Sequence, residues 1–72
     1  MTDSVYKVIE LVGTSTESWE KAATAAVTRA GESLRDLRVA EISAQDLVIE
    51  NGQVSAFRAK VKVSFKYEGH ES

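Results

Sequence analysis

The sequence predicts one α+β domain of order βαββ, with a three-stranded antiparallel-type sheet wrapped on one helix. Three observations predict it. From Ala56 to Tyr67, apolar Phe57, Ala59, Val61, Val63, Phe65 and Tyr67 alternate with Arg58, Lys60, Lys62, Ser64 and Lys66. Successive side chains on a strand point to opposite faces, so this stretch is a strand with one apolar and one polar face. Asn51-Gly52 is the strongest short hairpin signal, because a type I′ turn needs positive φ at both central residues. Between a Val/Ile-rich opening and this hairpin lies an alanine-rich run with helical spacing.

In chain order, Val5 to Val12 reads as the first strand. Ile9 and Leu11 face one way and Val8 and Val12 the other, which predicts partial burial on both faces, as when a sheet also meets a neighbouring subunit. Gly13 is expected to end it. Thr14-Ser15-Thr16-Glu17 fits a capping box, with the cap at Thr14 or Ser15. The helix that follows carries Trp19, Ala23, Ala26, Val27, Ala30 and Leu34 at helical spacing, with Glu17, Glu20, Lys21 and Arg29 largely elsewhere. Its alanines favour helix and allow close approach to a sheet. Gly31 weakens the last turn, so the helix ends there or continues with a kink to about Leu34.

Arg38 to Glu50 reads as the second strand. Ala40, Ile42 and Ala44 share one parity and Leu47 and Ile49 the other, which predicts a bulge or strong bend between Ala44 and Leu47. The tight turn sets a register in which Glu50 faces Gln53, Ala44 meets Ala59, Ile42 meets Val61, Ala40 meets Val63, Glu41 meets Lys62 and Ser43 meets Lys60. A right-handed crossover makes the first two strands parallel, with the third between them and antiparallel to both. The ordered core is expected over about 4–67, with the tail EGHES frayed.

One helix of this length covers only part of such a hairpin. The uncovered end holds Leu47, Val48, Ile49, Val54 and Phe57, and exposed apolar strand ends and open edges invite association. A 72-residue chain without cysteine has no disulfide or thiolate metal site to support a small core, which leaves a symmetric homo-oligomer as its expected support. The lone histidine, His70, lies in the polar tail, so neither a histidine metal cluster nor a nucleophile–base–acid set is expected, and the chain reads as no enzyme. A net charge of −2 argues against nucleic acid as the main partner. No signal-like start or membrane-length apolar run is seen, and the expected setting is the cytoplasm, with no membrane partner.

Three segments, VYKVIELVGTS at Val5–Ser15, RAGESLRDLRVAEI at Arg29–Ile42 and NGQVSAFRAKVKVSF at Asn51–Phe65, resemble the dodecin family in order and spacing. The resemblance covers nearly the whole chain. It implies a small βαββ protein assembling into a hollow dodecamer that stores or scavenges a ligand, most often a flavin, without catalysis. The family's flavin site uses a Trp of the second strand, which stacks on the isoalloxazine ring, and a Gln of the third, which hydrogen-bonds its pyrimidine side. Here Val39 stands at the Trp position and Arg58 at the Gln position. Val39 has no π-face, and Arg58 donates but cannot accept, so both main flavin contacts are replaced. SWEKAA at Ser18–Ala23, RVAEI and FRAKVKVSFK resemble an actinobacterial branch lacking the stacking Trp, which includes a calcium-binding dodecin.

The expected register puts Val39, Glu41, Ser43, Gln45, Arg58, Lys60 and Lys62 on the face away from the helix, where they would line any pocket between subunits that uses this face. Glu41, Asp46 and Glu50 are the candidate oxygen donors for a hard cation such as calcium, which would need carboxylates converging from several chains. Arg58, Lys60, Lys62 and Lys66 are candidate phosphate contacts, with a solvated, carboxylate-paired strand face as the favoured reading. Trp19, away from the stacking position, is expected to be a core or interface anchor. Two functions follow. The first is a shell that has lost tight flavin stacking and holds a small ligand or cation, calcium included. The second is a flavin store holding FMN or riboflavin weakly at inter-subunit sites.

Overall fold

The computed structural model describes residues 4–66. Strand β1 (Tyr6–Ser15), helix α1 (Trp19–Ser33), β2 (Leu37–Glu50) and β3 (Gln53–Lys66) follow in the expected order. The sheet order is β1-β3-β2, and β3 runs antiparallel to both neighbours. Asn51 and Gly52 have φ of 54° and 75°, the positive values that the tight turn demands. Tyr67 and the tail EGHES, including His70, lie outside the described residues.

Gly13 does not end β1; the strand continues to Ser15. The glycine serves another purpose. A Cβ built at Gly13 would lie 1.9 Å from the Ala22 carbonyl oxygen and 3.2 Å from the Ala26 Cβ. Helix α1 therefore rests directly on the backbone of β1. The small-residue face that allows this is Ala22, Ala26 and Ala30, all buried, with Ala23 and Val27 packed at its edge.

Because β1 uses Thr14 and Ser15 as strand residues, the helix cap moves downstream. Ser18 is the N-cap, and its hydroxyl accepts from the Lys21 amide at 3.0 Å. The Ser15 hydroxyl instead accepts from the Glu17 amide within the connecting turn, and the Glu17 carboxylate pairs with Lys21. The helix passes Gly31 and ends at Ser33, where the Leu34 amide still donates to the Ala30 carbonyl at 2.9 Å.

The ladder between β2 and β3 departs from a uniform register at three points: Leu37/Val39, Ile42/Ala44 and Val48/Ile49. Glu50 faces Gln53, Glu41 faces Lys62, Ile42 faces Val61 and Ala40 faces Val63, as expected. Between Ala44 and Val48, however, the pairing is displaced by one residue. Ala44 meets Lys60 rather than Ala59, Gln45 meets Ala59, and Asp46 meets Arg58. Ser43 drops out of the ladder as a bulged residue and has no partner at Lys60. A one-residue slip reverses every side chain in the segment, so Gln45 lies on the helix side and not on the face away from it.

The core is small. Ala59, Val61 and Val63 of β3 are buried against α1, with Ile9, Leu11 and Leu37 around them. The helix sits over β1 and β3 and leaves the helix side of β2 open. Ala40 is exposed there, Ile42 keeps 45% of its surface and Ile49 63%. The Cα radius of gyration is 15.1 Å, against roughly 11 Å for a compact chain of this length. The shape is an open ribbon with a helix lying along part of one side.

Gly13→Ala is the sharpest test of this packing. The added methyl meets a backbone oxygen, which cannot rotate away, so α1 has to lift from β1. The expected loss is roughly 1–3 kcal/mol of stability, read as a lower denaturation midpoint at fixed protein concentration.

Candidate functional site

The face of the sheet opposite α1 is built in rows, one side chain from each strand. Moving along β3, Val8–Ser64–Val39 is followed by Glu10–Lys62–Glu41, then Val12–Lys60–Ala44, then Thr14–Arg58–Asp46. An open concavity of about 470 Å³ lies over the first two of these rows. Its walls are valines from the two edge strands, and its floor carries two carboxylates, an ammonium and a hydroxyl.

Hydroxyl groups tie the rows to the backbone. Ser64 Oγ donates to the Val39 carbonyl at 3.3 Å. Ser43, freed by its bulge, places its Oγ 3.3 Å from both Glu10 Oε2 and the Lys60 carbonyl. The bulge thus lets a β2 side chain reach over the central strand to a β1 carboxylate.

At the far end of this face, Arg58 Nε donates to Asp46 Oδ1 and Arg58 Nη2 to Asp46 Oδ2, each at 2.7 Å. Both side chains keep 45% of their surface exposed. The two hydrogen bonds from Arg58 hold the Asp46 carboxyl below its ordinary pKa, with the charges of Arg58 and Lys60 acting the same way. The same bonds, with the charge of Asp46, push the Arg58 guanidinium upward. The backbone oxygen of Asp46 accepts from Trp19 Nε1 at 3.1 Å, and the Trp19 ring meets Phe57 edge-on at 5.2 Å. Trp19 is thus an anchor joining the start of α1 to the hairpin.

The structure brings some of the expected site residues together and separates others. Val39, Glu41 and Lys62 meet at the concavity, with Ser43 beside them through Glu10. Lys60 lies between Val12 and Ala44, with no carboxylate across the strand from it. Gln45 lies on the other face. Val39 is opposite Ser64, six residues along β3 from Arg58, which separates the two by roughly 20 Å. A ligand shorter than this separation cannot touch both positions within one chain. Of the cation candidates, Glu41 faces Lys62, Asp46 is held by Arg58, and Glu50 stands at the turn opposite Gln53. No group of three or more His, Cys, Asp or Glu side chains suited to a metal ion occurs among the described residues. Val8, Glu10 and Ser64 were not singled out from sequence. Pairing β1 against β3 by parity would have found Val8 and Glu10.

The family model described as Dodecin matches residues 5–68. The calcium dodecin of Mycobacterium tuberculosis is 49% identical over 63 residues, which cover 88% of this chain and 89% of that protein. Among solved structures, dodecin from Streptomyces coelicolor superposes with a TM-score of 0.89 at 37% identity, covering 97% of this chain and 100% of that one. The structure of Mycobacterium tuberculosis calcium dodecin, described as having a novel calcium-binding site, gives a TM-score of 0.81 at 46% identity, covering 96% and 99%.

The Asp46–Arg58 pair has a definite pH signature. A carboxyl whose folded pKa is depressed adds stability that is present above the unfolded pKa and lost as pH falls through the folded pKa. The contribution of Asp46 should therefore be complete above about pH 5 and disappear below its ordinary pKa of about 4. Acid titrations of the wild type and Asp46→Asn should show the wild type losing its advantage over that acid window. Parallel curves at every pH would mean the pair is not formed.

Proposed function

This chain belongs to the dodecin family, and from that premise we propose that it is a non-enzymatic, dodecameric shell holding a small ligand or cation between copies, with calcium the favoured occupant. The observation that carries the calcium reading is the 49% identity to a relative named calcium dodecin over almost the whole of both chains. The residues at the family's flavin contacts support it from the other side. Val39 offers an isoalloxazine ring no stacking surface, and Arg58 is already engaged by Asp46.

Assembly is supported by the shape of the fold. The helix side of β2 presents exposed Ala40, Ile42, Leu47 and Ile49, and β1 and β2 are open edges. A stripe of this kind on an extended chain is stabilised by burial against copies. Catalysis is not part of the reading, because the sequence offers no nucleophile–base–acid set. Cytoplasmic localisation is part of it; no helix among the described residues is long and apolar enough to cross a membrane.

The donors of one chain do not by themselves fit calcium. The ion takes six to eight oxygens, and no three acidic side chains converge among the described residues. The calcium reading therefore draws on carboxylates of several copies, with Glu41 and Glu50 the candidates not held by a guanidinium. The second reading, a weak flavin store, uses the same inter-subunit setting around Val39 and Arg58.

Native mass measurement should give twelve copies. Calorimetry of that assembly should register calcium binding that a chelator abolishes, while FMN and riboflavin fluorescence stay nearly unquenched. Strong stoichiometric quenching without calcium heat would transfer the function to the flavin reading. A stable monomer at micromolar concentration would remove both.

The replaced contacts can also be put back. Val39→Trp combined with Arg58→Gln should create or greatly improve flavin binding, measured by quenching, if the scaffold around the two positions is that of the flavin-binding members. No gain would mean that other residues close the pocket.

A further inference from the structure

Building on the calcium reading, we propose that Arg58 is the resident counter-cation of Asp46 and decides where this chain accepts a divalent ion: with Arg58 in place, Asp46 is not a calcium ligand. The geometry carries this. Both oxygens of Asp46 face the guanidinium fork at 2.7 Å, the short, paired arrangement of charge-assisted bonds. A calcium ion binds carboxylate oxygen at about 2.3–2.6 Å. At Asp46 that would set a doubly charged ion beside a guanidinium that is never deprotonated. Lys60, in the next row of the same face, has Val12 and Ala44 as its cross-strand neighbours. It adds further positive charge near the carboxylate with no acid across from it.

Register explains why the pair exists. In the uniform register set by the turn, Asp46 would face Phe57 on the helix side, away from Arg58. The shift between Val48 and Ile49 brings it opposite Arg58 on the outer face, and the bulge at Ser43 restores the turn's register beyond Ala44. Asp46 was among the carboxylates expected to supply oxygens to a cation, and the fold has supplied that cation from within. The other acids of this face differ. Glu10 and Glu41 flank Lys62 across their row and neither is held by a guanidinium; Glu10 accepts from Ser43 Oγ.

The test compares calcium binding in the assembled wild type, Arg58→Gln, Asp46→Asn and the double variant. Asp46→Asn should leave wild-type calcium binding within twofold. Arg58→Gln should raise affinity about tenfold or add a site, the size expected when one positive charge beside a divalent ion near water is removed. The double variant should lose that gain. Trp19 is the chain's single tryptophan and donates to the Asp46 backbone, so its emission gives an independent readout. It should respond to calcium in Arg58→Gln and stay unchanged in the wild type. Arg58→Lys keeps the charge without the fork and should gain less than Arg58→Gln, which separates charge from geometry and covers a failure of the Gln variant to assemble. Loss of wild-type calcium binding in Asp46→Asn, or no gain on removing Arg58, would overturn the proposal. If the wild type binds no calcium, the function proposed above fails, while a gain in Arg58→Gln that Asp46→Asn reverses would still establish the role of Arg58.

Discussion

The fold depends on one close approach, between the backbone of β1 at Gly13 and the first turns of α1 at Ala22 and Ala26. A helix faced with larger side chains would stand off from the sheet and leave a gap over Ala59 and Val61. With a glycine below and alanines above, the helix comes down far enough to cover the centre of β3. The cost is a shallow core: Val61 and Val63 are the largest fully buried side chains among the described residues. Such a core stabilises a small chain weakly, so what α1 leaves uncovered matters as much as what it covers. Because the helix lies over β1 and β3, the exposed remainder falls on β2, as a stripe along one edge of a long ribbon. The same close packing that makes the subunit possible thus leaves it incomplete.

The second constraint acts on the opposite face. Displacements of the β2–β3 pairing at Val48/Ile49 and Ile42/Ala44 offset each other, so the register expected from the turn holds beside it and again from Val39 to Ile42, and fails between them and at Leu37. Within the displaced segment, β2 presents Ala44 and Asp46 to the outer face and Gln45 to the helix side. That local reversal decides the electrostatics of the face. It puts a carboxylate opposite Arg58 and releases Ser43 to reach Glu10 across the central strand. The pattern of charges is a consequence of where the extra residues sit, more than of which residues the strands contain.

This is also where sequence reading reached its limit. Element order, hairpin turn, strand order and the pairs nearest the turn and at Ala40–Ile42 followed from alternation and Asn51-Gly52, because those signals are local and strong. The parity change placed a bulge between Ala44 and Leu47, where the ladder in fact runs unbroken; the shifts lie on either side, at Ile42/Ala44 and Val48/Ile49, because parity shows only that a bulge exists. It does not say which residue leaves the ladder or that a second bulge compensates the first. The Asp46–Arg58 pair was lost for that reason. The helix start was misjudged for a different one. Thr14 and Ser15 have the chemistry of a cap, but they are taken up by pairing with Arg58 and Phe57, a tertiary demand that no four-residue motif carries. Gly13 was read as a terminator because glycine often is one; its actual role is visible only once a helix is laid across it.

The two faces lead to one conclusion about where a ligand can be held. On the helix side, the stripe on β2 is apolar and suited to a neighbouring copy. On the outer side, Glu10, Glu41 and Asp46 each lie across from a basic residue of their own chain, and Val39 and Arg58 lie about six strand residues apart. A single copy thus has the parts of a site but not their convergence. The assembly proposed above would bring side chains of several copies together. Each chain brings two acids and one lysine in the Glu10–Lys62–Glu41 row, while Asp46 is paired one-to-one with Arg58. Within one chain the first of these rows carries an excess of carboxylate and the second does not. For the shell proposed above, that makes the Glu10–Lys62–Glu41 row, and not the Asp46–Arg58 row, the place for a cation held between copies.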